Sequence, residues 1–343
     1  MKPTTLTLGA RGVGEGHPCF VLAEVASAHG GSADAALKML EAAFKMGADG
    51  IKFQMFRSEL LVVRRHPGRK DFDQIELTAK EWKKVLRAAR ASGLALLVEA
   101  FDLPSLTLAA EEGADAYKVH TTDMENPEFI RAVAALGKPA LFATGGVPEE
   151  AVREAMDRVG DAPVALLHGF QTFPTPVEEI RFRELEAWRE RYRVPVGFLD
   201  HTDGGSAFAL VAPALAAAHG ANLVEKHFTL DRSEKGYDYQ SSLSPEDFYR
   251  MVELLRQAER AAGDGGAAES EDARRYHRTM GRFIVAGQLI KRGQVFTAEM
   301  LAFKRTDVRF EPGYPPRESH RVIGRRATRP IQADETIREE MLE

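Results

Sequence analysis

The sequence predicts an α/β fold, a closed (β/α)8 or TIM barrel followed by a small β-rich C-terminal domain. Three observations lead to this prediction. Eight short apolar runs alternate with amphipathic helical segments up to about residue 260. The polar residues that interrupt these runs lie mostly at their carboxyl ends, where barrel enzymes carry their active sites. A glycine-rich, charged stretch then indicates a linker, so we predict a catalytic barrel at 1–260, a linker at 261–280 and a separate domain at 281–343.

The eight apolar runs are the expected barrel strands, because parallel strands that are covered on both faces have nearly continuous apolar sequences. A doubly wound open sheet shows the same alternation of strands and helices. The number of runs, and the lack of a G-x-G-x-x-G turn after the first, favour the closed barrel. The runs are 19–25, 50–54, 95–101, 116–120, 140–144, 164–168, 194–201 and 223–228.

The C-terminal region contains an internal repeat, since segment 290–301 recurs as 331–342. This repeat predicts a compact module of short strands and tight turns, too small to house a large site alone. Residues 281–343 hold 12 Lys and Arg against 9 Asp and Glu, whereas 1–280 hold 34 against 42. The opposite net charges fit a face that meets an acidic partner surface or an anionic substrate.

Composition excludes several classes of protein. No apolar run approaches the roughly eighteen residues of a membrane span, and no basic segment followed by an apolar stretch opens the chain. We therefore expect a soluble cytoplasmic protein without a membrane partner. The single cysteine, Cys19, excludes a disulfide framework and a cysteine-based zinc site. No interleaving of basic and aromatic residues suggests a nucleic-acid partner.

Two histidines end neighbouring runs, in Asp200-His201-Thr202 and Glu225-Lys226-His227. Adjacent strands would present both imidazoles to one cavity. Such a pair, with other positions open, suits a divalent metal such as Mn²⁺, Zn²⁺ or Fe²⁺. The structural alternative is that each histidine caps its strand through hydrogen bonds.

Lys52 and Lys118 lie in the second and fourth runs, where burial of a lysine requires a fixed anion. They imply a phosphate or carboxylate ligand, or else ion pairs with Glu24, Glu99 or Glu225. Glu24 could likewise act as a general acid or base or belong to an ion pair. Two loops allow a functional and a structural role. Thr144-Gly145-Gly146 offers a hydroxyl and flexible backbone N–H groups that an anion could approach, although such turns are common. The stiff loop 170–176 forms a pocket wall or only a turn.

Together these motifs resemble the N-acetylneuraminate (sialic acid) synthase family over nearly the whole chain. The C-terminal region resembles that family's antifreeze-like (SAF) domain, including Lys304-Arg305 and Val322-Ile323-Gly324. The motifs in the barrel are Ala23-Glu24, His29-Gly30-Gly31-Ser32, Lys52-Phe53-Gln54, Tyr117-Lys118, Ala143-Thr144-Gly145, Leu167-His168, Phe173-Pro174-Thr175-Pro176, Asp200-His201-Thr202 and Glu225-Lys226-His227-Phe228-Thr229.

The resemblance implies condensation of phosphoenolpyruvate with an N-acylmannosamine-type sugar, giving a nonulosonic acid and phosphate. It also implies a domain-swapped homodimer, and a divalent metal held by His201 and His227, Mn²⁺ first, with Mg²⁺ and Co²⁺ as alternatives. Glu24 is the first candidate for proton transfer and Glu225 the second. The implied substrate-binding residues are Lys52, Gln54, Lys118, Thr121, Asp123, Thr144, Gln171, Phe173, Asp238 and Arg305.

The chain departs from the family pattern at several of these positions. Ala28, Gly30, Glu99 and Leu199 replace an asparagine, a glutamate, a small hydroxyl residue and a serine, which bears on the phosphate contacts. Gln171 and Phe173 replace asparagine and tyrosine, which bears on the sugar. Two alternatives therefore stay open: a phosphoenolpyruvate aldol synthase for a different sugar aldehyde, and a catalytically silent protein that binds a sugar or an anion.

Overall fold

The computed structural model describes residues 3–170, 172–263, 270–306 and 313–343 of the chain. It divides into two compact units, Met1–Gly263 and Asp264–Glu343. None of the helices in these described ranges is both long and apolar enough to cross a membrane.

The first unit is a closed barrel of eight parallel strands, as predicted. The last strand pairs with the first, with Leu223 opposite Phe20, which excludes the open sheet. Each predicted run contains one strand, with ends within two residues of the prediction. The strands are β3 (Phe20–Glu24), β4 (Gly50–Met55), β5 (Ala95–Ala100), β6 (Ala116–Val119), β7 (Ala140–Ala143), β8 (Val164–His168), β9 (Val196–Asp200) and β10 (Leu223–His227).

Helices follow the strands and cover the outside of the barrel. Several begin where a side chain caps the first turn: the Ser32 hydroxyl accepts from the Ala35 N–H, and Thr78 and Glu81 form a reciprocal capping box. The helices of this unit are α1 (Ala33–Lys45), α2 (Ser58–Leu61), α3 (Arg69–Ile75), α4 (Ala79–Ala91), α5 (Leu103–Glu111), α6 (Pro127–Ala135), α7 (Glu149–Arg158), α8 (Arg183–Tyr192), α9 (Phe208–Ala218) and α10 (Pro245–Ala262).

Alternation along the strands separates two apolar cores. One set of side chains packs between the strands and the helices. The other set fills the barrel interior with small and branched residues such as Leu22, Leu97 and Leu167. A hairpin that the sequence analysis did not predict, β1 (Thr5–Leu8) and β2 (Arg11–Gly14), adds Leu6, Leu8 and Val13 to this interior core. The interior is therefore a packed core below the active-site end.

The interior positions become charged towards the carboxyl ends of the strands. Register places Glu24 opposite Lys52 on the neighbouring strand, and Glu99 opposite both Gln54 and Lys118. Glu24, Glu99 and Lys118 have the same orientation as the apolar interior residues two positions before them, which are Leu22, Leu97 and Ala116. The barrel thus positions a layer of charged side chains directly above its apolar core.

The second unit contains α11 (Glu271–Met280) and an antiparallel pair of strands, β11 (Phe283–Ala286) and β12 (Leu301–Lys304). Helix α11 lies within the predicted linker, and all its residues are exposed. The predicted repeat is present in three dimensions. Ile290 and Ile331 exchange two backbone hydrogen bonds of 2.9 Å, and Gly293 and Asp334 adopt positive φ angles of 77° and 67° at equivalent positions. The small β-rich domain is therefore confirmed.

Candidate active site

A cavity of 490 Å³ lies at the carboxyl ends of the strands. A larger groove of 1450 Å³ lies at the opposite end, beside residues such as Asp49 and Asn222 that precede their strands. Barrel enzymes carry out their chemistry at the carboxyl end, so the smaller cavity is the candidate site. It is lined by Ser27, Gln54, Phe56, Leu61, Gly68, Asp71, Phe72, Ile75, Phe101, Lys118, His120, Thr122, Phe173, His201, Glu225, His227, Tyr237 and Asp238.

His201 and His227 meet in this cavity. Their ring centroids are 5.2 Å apart, and both side chains are buried. Nδ1 of His201 lies 3.1 Å from the carbonyl oxygen of Phe170, which fixes the ring and leaves Nε2 for another partner. Nδ1 of His227 lies 4.0 Å from Oδ2 of Asp238. The contact with Phe170 thus orients His201, and both rings face the cavity.

Burial determines the protonation of this histidine pair. It lowers the pKa of His201 to about 4. Burial also lowers the pKa of His227 well below its ordinary value, with a further contribution from the neighbouring His201. Both imidazoles are therefore neutral near pH 7, which is the form that binds metal ions.

The alternation of the strand explains the residues beside the two histidines. Asp200 and Lys226 point away from the interior and pair across β9 and β10 at 3.1 Å. Asp200 also accepts hydrogen bonds from the backbone N–H and the hydroxyl of Thr202, at 2.9 and 2.6 Å. These contacts fix the strand ends from outside while the histidines face the cavity.

The candidate metal ligands form a donor set of two histidines. Within the described ranges, no group of three or more His, Cys, Asp or Glu side chains is arranged to hold a metal ion. The protein would therefore contribute two neutral imidazoles and leave the remaining positions to substrate oxygens or water. Oε2 of Glu225, which also lines the cavity, is buried and has no hydrogen-bond partner. This donor set suits a catalytic metal with open positions.

Below the cavity, two lysines and three glutamates form a buried ionic cluster. The Lys52 ammonium lies 2.8 Å from Glu24, 2.6 Å from Glu99 and 2.9 Å from Glu225. Lys118 lies 2.7 Å from Glu225 and 3.4 Å from Glu99. The ion pairs considered from the sequence are thus present. Of the five residues, only Lys118 and Glu225 line the cavity.

The cluster perturbs the pKa values of its members. Burial alone would raise the pKa of the Glu99 carboxyl, but Lys118 and Lys52 hold it below its ordinary range. The same two lysines lower the pKa of Glu225 against the effect of burial. Burial lowers the pKa of Lys52 to about 8, although Glu225 and Glu99 oppose that change. The carboxylates of Glu99 and Glu225 are therefore ionised at neutral pH, and they pair with the ammonium groups of the two lysines.

The carboxylate of Glu24 contacts other groups of the protein through both of its oxygens. One carboxylate oxygen accepts from the backbone N–H of Ala26 at 2.7 Å, and the other faces Lys52. The side chain is fully buried and does not line the cavity. Glu225 is therefore better placed than Glu24 to exchange a proton with a molecule in the cavity.

Aromatic rings form much of the cavity wall. Phe173 lies over both histidines, with ring centroids 4.6 Å from His201 and 5.6 Å from His227. Phe56 contacts Phe72 at 5.7 Å and Phe101 at 6.5 Å. The loop after β8 is thus a pocket wall, one of its two predicted roles. The contributions of Phe56, Phe72 and Phe101 were missed, and only Phe101, at the end of the third run, had a positional signal.

Of the remaining predicted residues, two line the cavity and the others do not, or lie outside the part of the barrel that the structure describes. Gln54 and Asp238 line the cavity, and burial raises the pKa of Asp238. Thr121, Asp123 and Thr144 follow their strands without lining it. Arg305, exposed and directly after β12, belongs to the second unit. Gln171 lies outside the described residues.

His29, in the loop after β3, gives a prediction for pH dependence. Its ring packs edge-on against Trp82 at 5.7 Å, and burial lowers its pKa to about 4. Below about pH 6.5 the unfolded chain binds a proton that the folded protein rejects, so stability falls as the pH falls. Between pH 7.5 and 5.5, the wild type should lose about 1 kcal/mol more unfolding free energy than His29→Gln. Urea unfolding at both pH values measures this, and equal losses would contradict the assignment.

A closed barrel with a cavity of histidines and charged groups at the carboxyl ends of its strands defines the chain as a barrel enzyme. Comparison with known proteins identifies the family. The NeuB family model matches residues 39–267 and the SAF domain model matches residues 281–343. The chain therefore belongs to the NeuB family, which confirms the resemblance drawn from the motifs.

Individual relatives cover nearly the whole chain. An uncharacterised protein of Methanocaldococcus jannaschii is 31% identical over 90% of this chain and 91% of its own length. The pseudaminic acid synthase of Campylobacter jejuni is 29% identical over 93% of this chain and 95% of its own. The crystal structure of the sialic acid synthetase from Leptospira borgpetersenii, 25% identical, superposes with a TM-score of 0.74 over 80% of this chain and 97% of the other.

Proposed function

We propose that the protein condenses phosphoenolpyruvate with an N-acylmannosamine-type sugar aldehyde to give a nonulosonic acid and phosphate. The observation that carries this proposal is the pair of buried, neutral histidines beside Glu225 and Lys118 in one cavity. Membership of the NeuB family supports it. The same proposal places the enzyme in the cytoplasm, where phosphoenolpyruvate is a metabolite.

In the proposed reaction, C3 of phosphoenolpyruvate adds to the aldehyde carbon, water adds at C2, and the C–O bond to phosphate breaks. His201 and His227 would hold a divalent metal, Mn²⁺ first, which when bound polarises the aldehyde oxygen. We assign proton transfer to Glu225, because its Oε2 has no hydrogen-bond partner and it lines the cavity. Lys118 would contribute positive charge towards the donor's anionic groups.

The apolar part of the cavity wall affects which sugar substrates the site would bind. Phe173 and the three rings of Phe56, Phe72 and Phe101 offer few hydrogen bonds to hydroxyl groups. Gln54, Tyr237 and Asp238 supply the polar contacts. We therefore include deoxy and N-acylated aldoses among the proposed substrates, and the alternative of a different sugar aldehyde stays within the same chemistry.

The experiment that tests the function is release of phosphate from phosphoenolpyruvate in the presence of Mn²⁺, with and without each of a panel of sugar aldehydes. The panel contains N-acetylmannosamine, its deoxy and diacylated analogues, and shorter aldoses. Aldehyde-dependent release supports the proposal and identifies the sugar class. Absence of release with every aldehyde, together with binding of a sugar or an anion, would favour the silent binding protein.

We further propose a homodimer in which Arg305 of one subunit completes the sugar site of the other. Its exposed position directly after β12 and the opposite net charges of the two parts of the chain support this arrangement. Arg305→Ala should raise the KM for the sugar at least tenfold with little change in stability. Co-expression with a His201→Ala, His227→Ala chain should restore a site that has intact histidines and receives Arg305 from its partner. Activity no greater than the sum of the activities of the two variants expressed separately would contradict the proposed exchange of Arg305 between subunits.

A further inference from the structure

The carboxylate of Glu99 lies where an anion would bridge the two buried lysines. Glu99 is on β5, the strand between β4, which carries Lys52, and β6, which carries Lys118. Its Oε2 lies 2.6 Å from Nζ of Lys52 and accepts a hydrogen bond from Nε2 of Gln54 at 3.1 Å. Its Oε1 lies 3.4 Å from Nζ of Lys118. Two donors thus bond one oxygen of this carboxylate, and the ammonium of Lys118 faces the other oxygen, which has no hydrogen-bond partner. Cationic groups and hydrogen-bond donors surround a bound phosphate or carboxylate in the same way.

The charges within the cluster determine how strongly the two lysines can attract an anion from the cavity. Three glutamates contact the two buried lysines, and the ionised carboxylates of Glu99 and Glu225 already compensate the two ammonium groups inside the protein. Lys52 and Glu99 are completely buried and do not line the cavity. A phosphate in the cavity can therefore reach Lys118, but it meets a carboxylate instead of the free lysine pair. Repulsion at such short distances is weakly screened inside a protein.

Glu99 differs from the other two carboxylates in its position. Glu24 contacts only Lys52 of the two lysines, and a backbone N–H holds its second oxygen. Glu225 reaches both lysines through one oxygen from β10, and it lines the cavity itself. Only Glu99 lies on the strand between the lysines and uses both oxygens to contact them.

We propose that Glu99 is a specificity-determining residue: an internal anion that occupies the site formed by Lys52 and Lys118 and weakens the binding of phosphate groups there. The proposal rests on the proposed function only for the identity of the donor, phosphoenolpyruvate. The donor's phosphate then binds against the charge of Glu99, and replacement of Glu99 by a neutral residue opens the lysine pair to it.

The test is calorimetric titration of the full-length protein with inorganic phosphate at pH 7.5, without metal or aldehyde. We expect the wild type to bind phosphate with a Kd weaker than about 1 mM. Glu99→Gln keeps the shape of the side chain and Glu99→Ser opens space, and both should bind phosphate at least tenfold more tightly. Glu112→Gln is the matched control, because Glu112 is also buried and paired with an arginine but does not line the cavity.

Submillimolar binding by the wild type would overturn the proposal. So would unchanged or weaker binding in both Glu99 variants when their unfolding transitions match that of Glu112→Gln. The readout separates this inference from the proposed function. Tighter phosphate binding by the Glu99 variants, without turnover of any aldehyde, would contradict only the proposed synthase activity. Turnover of an aldehyde, with unchanged phosphate binding by the variants, would contradict only the proposed role of Glu99.

Discussion

Replacement of both His201 and His227 by alanine should abolish aldehyde-dependent phosphate release, with a loss of at least about a thousandfold. The two rings are the cavity's paired neutral imidazoles, with centroids 5.2 Å apart, and the carbonyl oxygen of Phe170 holds the ring of His201. Without them the site would lack the two proposed ligands of the metal that polarises the aldehyde. Initial rates with saturating phosphoenolpyruvate and Mn²⁺ measure the effect, and metal content measured on the same samples should fall in parallel.

His168→Asn is the matched control for this experiment. His168 also ends a barrel strand and is buried, but its ring lies 3.2 Å from the Ile180 carbonyl oxygen and does not line the cavity. The His168→Asn variant should retain activity within about threefold of the wild type if its fold is intact. A double histidine variant that keeps its rate, or that loses it equally without any loss of metal, would contradict the proposed role of the pair.

Lys52→Met should lower the free energy of unfolding at pH 7 by about 3–5 kcal/mol, or prevent folding. Lys52 contacts all three buried carboxylates, and only Lys118 would remain to compensate them. Chemical unfolding measures this change. Lys45→Met is the control, because Lys45 pairs with Glu41 at 2.6 Å on the exposed surface, where such pairs contribute about 0–1 kcal/mol.

The destabilisation by Lys52→Met should decrease as the pH falls from 7 to 5.5. In the wild type the lysines oppose the effect of burial and lower the pKa values of Glu99 and Glu225 below their ordinary range, so both stay ionised and their stabilisation is intact throughout this pH range. In the variant an uncompensated buried carboxyl would have a raised pKa, and its protonation would recover stability. A deficit that stays constant or grows with falling pH would show that lost packing, not charge, causes it.

The strands were predictable because burial on both faces leaves a continuous apolar signal. The positions of His201, His227 and Lys118 followed from it, since strand ends on neighbouring strands converge. The prediction for Lys52 was less complete. Its place in a strand indicated an anion, but the sequence could not distinguish a ligand from Glu24, Glu99 and Glu225, because pairing depends on side chains from strands far apart in sequence.

The missed features lack periodic patterns. Hairpin β1–β2 contributes only Leu6, Leu8 and Val13 to the interior, and its strands are too short for a signal of their own. Phe56 and Phe72 lie in the long connection between β4 and α4, where tertiary packing decides the conformation. Glu24 was predicted as the first candidate for proton transfer, but the fold of the following residues directs its oxygens to Ala26 and Lys52.

The measurement that tests the central claim most directly follows the oxygen that bridges C2 and phosphorus in phosphoenolpyruvate. The donor is labelled with ¹⁸O at that position and turned over with the sugar that gives phosphate release. We expect the label in the released phosphate, and a product whose mass equals that of the aldehyde plus one pyruvate unit, because the C–O bond breaks after condensation. Label retained in pyruvate, with the sugar recovered unchanged, would show simple hydrolysis and contradict the synthase.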